Sequence, residues 1–318
     1  MRIAIFGMGG VGGRFGAFLA RAGRARGVET VFVARGEHLR AIREKGLVLE
    51  TPEEEIRVRP ALATAEPAEA GPVDAVLLGV KSWQVEEAAR SLGPMLAPGT
   101  FVVPLQNGVE AADQLARILG AERVLLGMCR TFSFVAAPGR IRSLGRIHTI
   151  DFGEPDASKN PSERAERLLA TLRSAGIQAS IPPDIHAALW QKFLMVVSVG
   201  GVGAVEQKPM GVLRSDPAIR ARVRGAMEEI LALARARRVA LTDDSVDRAM
   251  EFIDSLAPEG TSSLQRDIAE GRPSELEAWN GAVVRLGRES GVATPVHDAI
   301  YERLVPKERE ARERIRRG

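Results

Sequence analysis

The first twelve residues place a short apolar segment directly before a glycine-rich turn. Arg2–Gly7 (RIAIFG) has the composition of a buried β-strand, and a helical pattern begins just after it. The turn fits the pattern G-x-G-x-x-G and consists of Gly7, Met8, Gly9, Gly10, Val11 and Gly12. Because the chain has 32 glycines, the hexapeptide alone is weak evidence. The order of strand, glycine turn and helix is what predicts a dinucleotide-binding βαβ unit.

Three glycines of this turn have separate physical reasons to be there. Gly7 permits the tight turn, Gly9 lets a pyrophosphate approach the backbone, and Gly12 lets the helix pack closely on the strand. The pyrophosphate then lies at the helix N-terminus, where free N–H groups and the helix dipole favour an anion. The alternative is a glycine turn without a ligand, and the strand and helix around it argue against that.

The end of the next strand indicates which dinucleotide binds. Thr30–Arg35 (TVFVAR) predicts a strand that ends in a cation, where an NAD-binding site normally has Asp or Glu. Arg35 can pair with a 2′-phosphate through two parallel N–H bonds, so NADP(H) is the predicted cofactor. Glu37 follows closely and keeps open the alternative that Arg35 is a surface arginine without a cofactor contact.

The first half of the chain alternates short apolar runs with helical patterns. Further strands are predicted at Asp74–Lys81, Thr100–Leu105 and Val124–Met128, and helices at 38–45, 85–92 and 111–119. Continuous apolar strands separated by helices predict a parallel sheet that is covered on both faces. With right-handed crossovers this is an α/β fold, a Rossmann-type doubly wound parallel sheet.

The pattern changes after Arg130. Thr131–Phe152 alternates apolar and polar residues between glycines, which predicts antiparallel strands, and Ser162–Ala175 predicts a helix. From about Pro183 the apolar residues follow a helical period almost to the end of the chain. The sequence therefore predicts two domains, a Rossmann-type NADP(H)-binding domain over residues 1–182 and an all-helical substrate domain over residues 183–318.

Composition excludes several classes of protein. With 45% hydrophobic and 27% charged residues, the chain has the make-up of an ordinary globular protein. Cys129 is the one cysteine, so no disulfide can form within the chain, and a cytoplasmic location is expected. The longest uncharged apolar run, Phe193–Val205, has thirteen residues. Because this run is shorter than a membrane span, no membrane partner is expected.

The charge pattern predicts no nucleic-acid partner. The net charge is +3, and only 4% of the residues are aromatic, too few for stacking platforms. The tail Lys307–Arg317 has six basic and three acidic residues, and the interspersed glutamates favour a solvated last helix over a nucleic-acid arm. The four histidines lack ligand spacing, so no metal is expected. The long amphipathic helices of the second half are compatible with a homodimer face or with the core of one chain.

Two polar residues follow strands whose carboxyl ends are expected to meet at one edge of the sheet. Lys81 comes after DAVLLGV, and Asn107 comes after TFVVPLQ. Ligands of open parallel sheets bind beyond these ends. Alone, Lys81 would be a surface lysine and Asn107 part of a turn. Together they favour a polar pocket for a substrate and a nicotinamide.

Six stretches complete one pattern along the chain. They are the glycine turn, VKSWQ, LQNG, Ala188–Leu194 (ALWQKFL), Thr261–Asp267 (TSSLQRD) and Ser274–Gly281 (SELEAWNG). In order and spacing, from Met1 to about Val305, the chain resembles the ketopantoate reductase family (2-dehydropantoate 2-reductases). The resemblance implies reduction of a 2-keto acid to a 2-hydroxy acid by NADPH, in a cleft between a Rossmann domain and a helical domain. The family reaction, 2-dehydropantoate to pantoate, belongs to pantothenate biosynthesis.

The resemblance also implies roles for individual residues. Lys192 matches the lysine that protonates the developing alkoxide, and Glu275 matches the acid that hydrogen-bonds the substrate hydroxyl. Ser263 matches a serine that helps to hold the substrate, and Asn107 and Lys81 match polar groups at the nicotinamide end. The chemistry needs such a set, because hydride arriving at a carbonyl carbon builds negative charge on oxygen, which an ammonium stabilises and then protonates.

Two positions depart from the family pattern. The family's reductases for ketopantoate typically carry asparagines four and eight residues after the catalytic lysine, and this chain has Val196 and Gly200 there. The wall beside the substrate loses two amides and becomes more apolar, and sites discriminate strongly through such groups. Alternatives are therefore a reductase for a less polar keto acid or an imine, and a catalytically silent NADP(H) sensor. The presence of both Lys192 and Glu275 argues against the sensor.

Overall fold

The computed structural model describes residues 1–317, apart from the side chains of Arg24 and of residues 315–317. The chain divides into two compact units, the first made of Met1–Gln106 and Glu110–Ile185, the second of Asn107–Val109 and His186–Gly318. The first unit is an α/β domain with a parallel sheet, and the second is helical, so the predicted fold class is confirmed. Sequence reasoning did not predict that the short segment at 107–109 groups with the helical unit.

A five-stranded parallel sheet lies at the centre of the first unit. Across the sheet its strands are β5 (Leu62–Thr64), β2 (Glu29–Val33), β1 (Arg2–Phe6), β6 (Ala75–Leu78) and β7 (Phe101–Pro104). The chain starts in the middle, moves to one edge and then returns to the other side, which is the Rossmann-type order. Residues of β1 and β6 are buried on both faces, and this explains their continuous apolar sequences.

Six helices accompany the sheets of the first unit. They are α1 (Gly10–Ala22), α2 (Gly36–Lys45), α3 (Pro67–Ala70), α4 (Val85–Ser91), α5 (Ala111–Leu119) and α6 (Glu163–Ser174). Phe15 and Leu19 of α1 are buried in the core that also holds Ile3 and Ile5 of β1. The predicted helices at 38–45, 85–92, 111–119 and 162–175 are all present.

A second sheet corrects one part of the sequence prediction. The expectation that Val124–Met128 continues the parallel series holds only at its first residue, where Val124 forms an isolated parallel bridge to Val102 of β7. From Leu126 onward it is wrong, because β8 (Leu126–Ala137) pairs antiparallel with β9 (Arg140–Gly153). The antiparallel strands predicted within Thr131–Phe152 are confirmed.

Two further strands of the second sheet, which form a hairpin, escaped sequence analysis because they are short. β3 (Leu47–Glu50) and β4 (Glu55–Val58) form a hairpin, and the sheet runs in the order β10-β9-β3-β4, with β10 at Gln178–Ser180. These strands have three or four residues each, and so does β5 of the first sheet. Runs of that length are too short to show a period of two.

The second unit is built from helices around one core. They are α7 (Ile185–Glu206), α8 (Met210–Ser215), α9 (Pro217–Ala236), α10 (Ser245–Ser255), α11 (Ser263–Ala269), a π-helical turn (Glu277–Gly281), α12 (Ala282–Ser290) and α13 (Pro295–Arg317). The core includes Trp190 and Phe193 of α7, Met227 and Ile230 of α9, and Trp279 of the π-helical turn. The regularly spaced apolar residues of α9 and α10 form the faces that these two helices bury.

By length and composition alone, α7 is able to cross a membrane. The helix has 22 residues, more than the thirteen-residue run used in the sequence analysis, so the argument from length is wrong. Of its apolar window, 67% is buried inside the protein, and core helices of soluble proteins pass the same test. Phe193, Leu194 and Val197 are 2% exposed or less, so packing within the second unit already satisfies these apolar side chains.

A partly buried ion pair at the start of α6, in which Glu154 is the buried partner, leads to a pH-dependent prediction. Glu154 accepts hydrogen bonds of 2.6 Å from Arg164 and from the hydroxyl of Ser162. Burial opposes ionisation of Glu154, but the bonds from Arg164 and Ser162 outweigh it, so the pKa of the carboxyl is lowered. We expect Glu154→Gln to lower the free energy of unfolding by about 3 kcal/mol at neutral pH, because Arg164 loses its charged partner.

The sign of the pH dependence follows from the lowered pKa. The stabilisation by Glu154 is present above the unfolded-state pKa of about 4.3 and is lost as the pH falls through the folded-state value. Urea denaturation at several pH values is expected to show the difference between wild type and variant narrowing in acid. Glu163→Gln, at the same helix end but exposed, is the control and is expected to cost less than about 1 kcal/mol. A difference that is independent of pH would contradict this role of Glu154.

Candidate active site

The glycine turn joins β1 to α1, and most of its glycines are required by the protein's own packing. Gly7 has φ of +95°, a conformation that glycine adopts without strain. A Cβ on Gly12 would overlap the carbonyl oxygen of Gly7, and a Cβ on Gly10 would overlap that of Ser133 in β8. Around Gly9, in contrast, a Cβ would meet no atom within 4 Å. The space beside Gly9 is therefore open to a ligand.

This turn fits the pyrophosphate of a dinucleotide. Gly9 is the N-cap residue of α1 and has extended backbone geometry, so the first N–H groups of the helix follow directly. Among the described residues of α1, none in the first turn is acidic, so the positive end of the helix dipole is left for an anion. Met8 is buried in the core and Val11 packs against it, so their backbone, not their side chains, faces the turn's open side.

His38 of α2 supports the turn from the side. Its Nδ1 accepts a hydrogen bond of 3.0 Å from the backbone N–H of Gly139. Burial lowers the pKa of His38, and the backbone of Met8 only partly opposes this. A neutral imidazole thus holds the loop between β8 and β9 through Nδ1 and lies near Met8 of the glycine turn. Sequence analysis considered His38 only as a metal ligand and missed this contact.

Arg35 lies two residues beyond the end of β2, at the N-cap position of α2, and not within the strand as the sequence predicted. Its Nη1 donates a hydrogen bond of 3.0 Å to Oε1 of Glu87 in α4. The two side chains are 64% and 61% exposed. An exposed ion pair of this kind contributes about 0–1 kcal/mol, so the guanidinium can exchange the carboxylate for a phosphate at little cost.

Lys81 lies beyond the end of β6, not at the strand end that the sequence indicated. It precedes a short 3₁₀ turn, Ser82–Gln84, and its Nζ is 5.8 Å from the centre of the Trp83 ring. The loop is held by Gln106, whose Nε2 donates hydrogen bonds of 3.0 Å to the carbonyls of Leu78 and Val80. Lys81 belongs to the first unit and Asn107 to the second, so the predicted common pocket of these two residues stays a prediction.

Lys192 and Asn107 meet within the second unit. The ammonium of Lys192, on α7, donates a hydrogen bond of 2.7 Å to Oδ1 of Asn107. Gly108 has φ of +111°, and a Cβ there would lie 3.2 Å from the carbonyl oxygen of Ala278 in the π-helical turn. A glycine is therefore needed for this segment to lie against the turn, and the segment in that conformation holds the amide of Asn107 beside the lysine.

Glu275 lies just before the π-helical turn and is 9% exposed. The residue before it, Ser274, is held by α13, because the carboxylate of Glu308 accepts bonds from the N–H of Ser274 at 2.9 Å and from its hydroxyl at 2.5 Å. Arg312 donates to Glu308 at 2.6 Å. The predicted last helix is present to Arg317, and most of its side chains described between Lys307 and Arg314 are exposed, but Glu308 and Ala311 are buried. The charge-rich composition of the tail concealed this support of Glu275.

Ser263, the predicted substrate serine, is the first residue of α11 and is half-buried. Its neighbour Ser262 is the N-cap, with Oγ accepting a hydrogen bond of 3.0 Å from the N–H of Gln265. The same Oγ lies 3.6 Å from the position that a Cβ on Gly200 would occupy. The hydroxyl beside this part of α7 is thus that of Ser262, and the role of Ser263 stays a prediction.

Val196 and Gly200 follow Lys192 at steps of four along α7, so the three residues share one face of the helix. Val196 is half-buried and Gly200 is buried. A Cβ on Gly200 would lie 2.6 Å from Cζ3 of Trp279, a side chain that is 1% exposed. Sequence analysis missed Trp279, although its place four residues after Glu275 was a signal that the two lie on one side of a helical segment.

These features together define a class of enzyme. A Rossmann-type sheet whose glycine turn is open at Gly9, in a chain that also holds a lysine ammonium against an asparagine amide, is typical of a nicotinamide-dependent oxidoreductase. The family described as "Ketopantoate reductase PanE/ApbA" matches residues 3–157, and "Ketopantoate reductase PanE/ApbA C terminal" matches residues 184–308. The chain belongs to the ketopantoate reductase family and is an oxidoreductase acting on CH–OH groups with a nicotinamide cofactor.

Similar proteins span the whole chain. A protein of Mesorhizobium japonicum named 2-dehydropantoate 2-reductase is 33% identical over 321 residues, which cover 94% of this chain and 95% of that protein. The crystal structure of a PanE/ApbA family ketopantoate reductase from Ralstonia eutropha has a TM-score of 0.87 at 33% identity and covers 98% of this chain and 100% of that one. A D-mandelate dehydrogenase with NADH and anilino(oxo)acetate has a TM-score of 0.87 at 23% identity, with 98% and 99% covered, a likeness of fold alone. The predicted family is confirmed.

Proposed function

We propose that this protein reduces a 2-keto acid to the 2-hydroxy acid with NADPH. The observation that carries the proposal is the 2.7 Å hydrogen bond from the ammonium of Lys192 to the amide oxygen of Asn107. A lysine held in this way presents a positive charge and a proton at a fixed place, which is what the oxygen of a carbonyl under reduction needs. Glu275 lies in the same unit, on a backbone that α13 supports.

The chemistry divides between the cofactor and the chain. When bound, NADPH supplies a hydride to the carbonyl carbon. As the new C–H bond forms, the π electrons of the carbonyl move onto its oxygen, and Lys192 stabilises that charge and donates a proton to it. Lys192 is left as a neutral amine and regains a proton from solvent. Glu275 accepts a hydrogen bond from the hydroxyl that forms at the reduced carbon, while Asn107 keeps the ammonium in place.

The preference for NADPH depends on Arg35. Its exposed guanidinium, just beyond the end of β2, is paired with the exposed carboxylate of Glu87. A 2′-phosphate can replace that carboxylate as the partner of Arg35. We expect NADPH to bind more tightly than NADH, and Arg35→Ala to weaken NADPH binding by about 10- to 100-fold with little effect on NADH, since a hydrogen bond to a charged group contributes about 1.5–3 kcal/mol.

Fluorescence titration of both cofactors measures this preference. Arg90→Ala is the matched control, because Arg90 is also an exposed arginine paired with a glutamate of α4, at 2.8 Å. The control is expected to leave both affinities unchanged. Equal affinities of the unmodified protein for NADPH and NADH would assign no 2′-phosphate contact to Arg35.

Two substrates are candidates. 2-Dehydropantoate is the first, because relatives at 30% identity or more bear the name of its reductase. A less polar 2-keto acid is the second, favoured by Val196 and Gly200 in the wall beside Lys192. Steady-state oxidation of NADPH with a panel of 2-keto acids tests the reaction and ranks the substrates by kcat/KM. Binding of NADPH without turnover of any 2-keto acid or imine would favour a cofactor sensor.

The place of action proposed for this chemistry is the cytoplasm. Cys129, the one cysteine of the chain, is buried, in keeping with a protein that does not depend on disulfides. A homodimer stays a prediction, and light scattering of the purified protein tests it.

A further inference from the structure

We propose that Trp279 sets the substrate preference of this protein, by filling the space beside Gly200 in which an amide side chain would otherwise contact the substrate. The preferred substrate is then a 2-keto acid with an apolar substituent that carries no hydroxyl. This inference rests on the proposed reduction of a 2-keto acid and decides between its two substrate candidates.

The contact between Trp279 and Gly200 joins the two segments that carry the candidate catalytic side chains. On α7, Lys192 and Gly200 are separated by about two helical turns on one face. On the other segment, the backbone N–H of Trp279 donates a hydrogen bond of 3.0 Å to the backbone carbonyl of Glu275. The indole meets α7 at Gly200, so it lies at the end of the wall that begins at Lys192 and passes Val196.

The packing leaves no room for a side chain at residue 200. Even a Cβ would lie 2.6 Å from Cζ3 of the indole, closer than real Cβ atoms come to other heavy atoms. The next residue repeats the arrangement, since a Cβ on Gly201 would overlap the side-chain amide of Asn280. Two consecutive glycines thus let the π-helical turn approach α7, and a large aromatic side chain takes up the space that this approach leaves.

At this position the size of the indole matters, and its polar atom, Nε1, does not. In the part of the chain that the structure describes, Nε1 of Trp279 is buried and has no hydrogen-bond partner. Buried tryptophans usually find one, so a leucine or phenylalanine would fill a plain core position with fewer costs. The indole therefore acts here through its bulk, which fills the wall beside Gly200.

The resulting wall rejects a hydroxyl on the substrate. Val196 contributes an isopropyl group and Trp279 a ring, and the hydroxyl near them is that of Ser262, whose Oγ lies 3.6 Å from the Cβ position of Gly200 and also caps α11. A hydroxyl that leaves water for such a surface loses hydrogen bonds that two amides would have replaced. An acid of the same shape without the hydroxyl has nothing to lose there.

A cycle of variants tests the packing without any assay of activity. Gly200→Ala is expected to lower the melting temperature by several degrees in the unmodified protein and by little in the Trp279→Leu background, where the methyl has room. Trp190→Leu is the matched control, because Trp190 is a buried tryptophan of the same core that contacts Phe193. In the Trp190→Leu background, Gly200→Ala is expected to lower the melting temperature as much as it does in the unmodified protein. Equal decreases in melting temperature in all three backgrounds would overturn the contact and the proposal.

A pair of substrates tests the preference. 2-Dehydropantoate and 3,3-dimethyl-2-oxobutanoate differ by one hydroxyl, and we expect kcat/KM to favour the second acid by about tenfold or more. In Trp279→Leu with Gly200→Asn this ratio is expected to fall by about tenfold, because an amide replaces the indole. Trp190→Leu is expected to keep the ratio.

The outcomes separate this proposal from the function on which it rests. A preference for 2-dehydropantoate in the unmodified protein, or a ratio that the double variant leaves unchanged, would overturn the role of Trp279 while 2-keto acid reduction stands. Failure of the protein to oxidise NADPH with either acid, or with any other 2-keto acid, would overturn the proposed reaction and the preference together.

Discussion

Lys192→Ala is expected to lower kcat by about 10²–10⁴, the usual contribution of a positioned acid–base group. The ammonium of Lys192 is the group held 2.7 Å from Asn107 and the proposed proton donor to the substrate oxygen. Binding of NADPH is expected to change little, because the proposed cofactor contacts are those of the glycine turn and Arg35. Single-turnover kinetics with saturating NADPH, beside a cofactor titration, separate the two effects.

Two further variants test whether the loss of activity is specific to Lys192. Lys208→Ala removes an exposed lysine just after α7 and is expected to leave kcat unchanged. Asn107→Ala removes the acceptor that orients Lys192 and is expected to lower kcat by about tenfold, the worth of one hydrogen bond to a charged group. Turnover of the Lys192 variant at the unmodified rate would assign the proton donor to another group.

Alanine is expected to affect different properties at two glycines of the same turn, namely stability at Gly12 and cofactor affinity at Gly9. At Gly12 the methyl would overlap the carbonyl of Gly7, so we expect Gly12→Ala to lower the free energy of unfolding by about 3 kcal/mol or more. At Gly9 the methyl meets no protein atom within 4 Å, so the fold is expected to keep its stability. There the methyl would occupy the approach of the pyrophosphate, and NADPH affinity is expected to fall by about tenfold or more.

Thermal unfolding and NADPH titration of the two variants test this contrast. The Gly9 variant serves as the stability control for Gly12, since both add the same methyl group to one turn. Unchanged NADPH affinity in Gly9→Ala would place the pyrophosphate elsewhere, and an unchanged melting temperature in Gly12→Ala would contradict the close packing of α1 on β1.

The Rossmann-type sheet was predictable because its signals are local. The strand at Arg2–Phe6 is apolar throughout, since a parallel strand is buried on both faces, and a glycine turn follows it at once. The short strands at Leu47–Glu50 and Leu62–Thr64 have no such signal, because three or four residues cannot display a period. Val124–Met128 misled for a related reason: an apolar run predicts a strand but does not say which strand it pairs with, and here the partner is β9.

The candidate active site was predictable in part. Lys192, Asn107 and Glu275 stand in motifs that can be recognised along the chain, and the first two are in contact in the structure. Glu308 could not be found in this way, because its charge-rich surroundings predict solvent, whereas the fold buries its carboxylate under Ser274. Burial of one carboxylate in a helix of many charges depends on which face the helix turns inward.

The sequence by itself determined the two-unit plan, the glycine turn, the family and the candidate residues for the chemistry, because each depends on neighbours in the chain. Only the tertiary structure decided what stands beside them. That Gly9 is open while Gly12 is closed, and that Trp279 fills the space at Gly200, depends on segments far apart in the sequence. The distance between such segments is set by how whole elements pack, and no local pattern of residues records it.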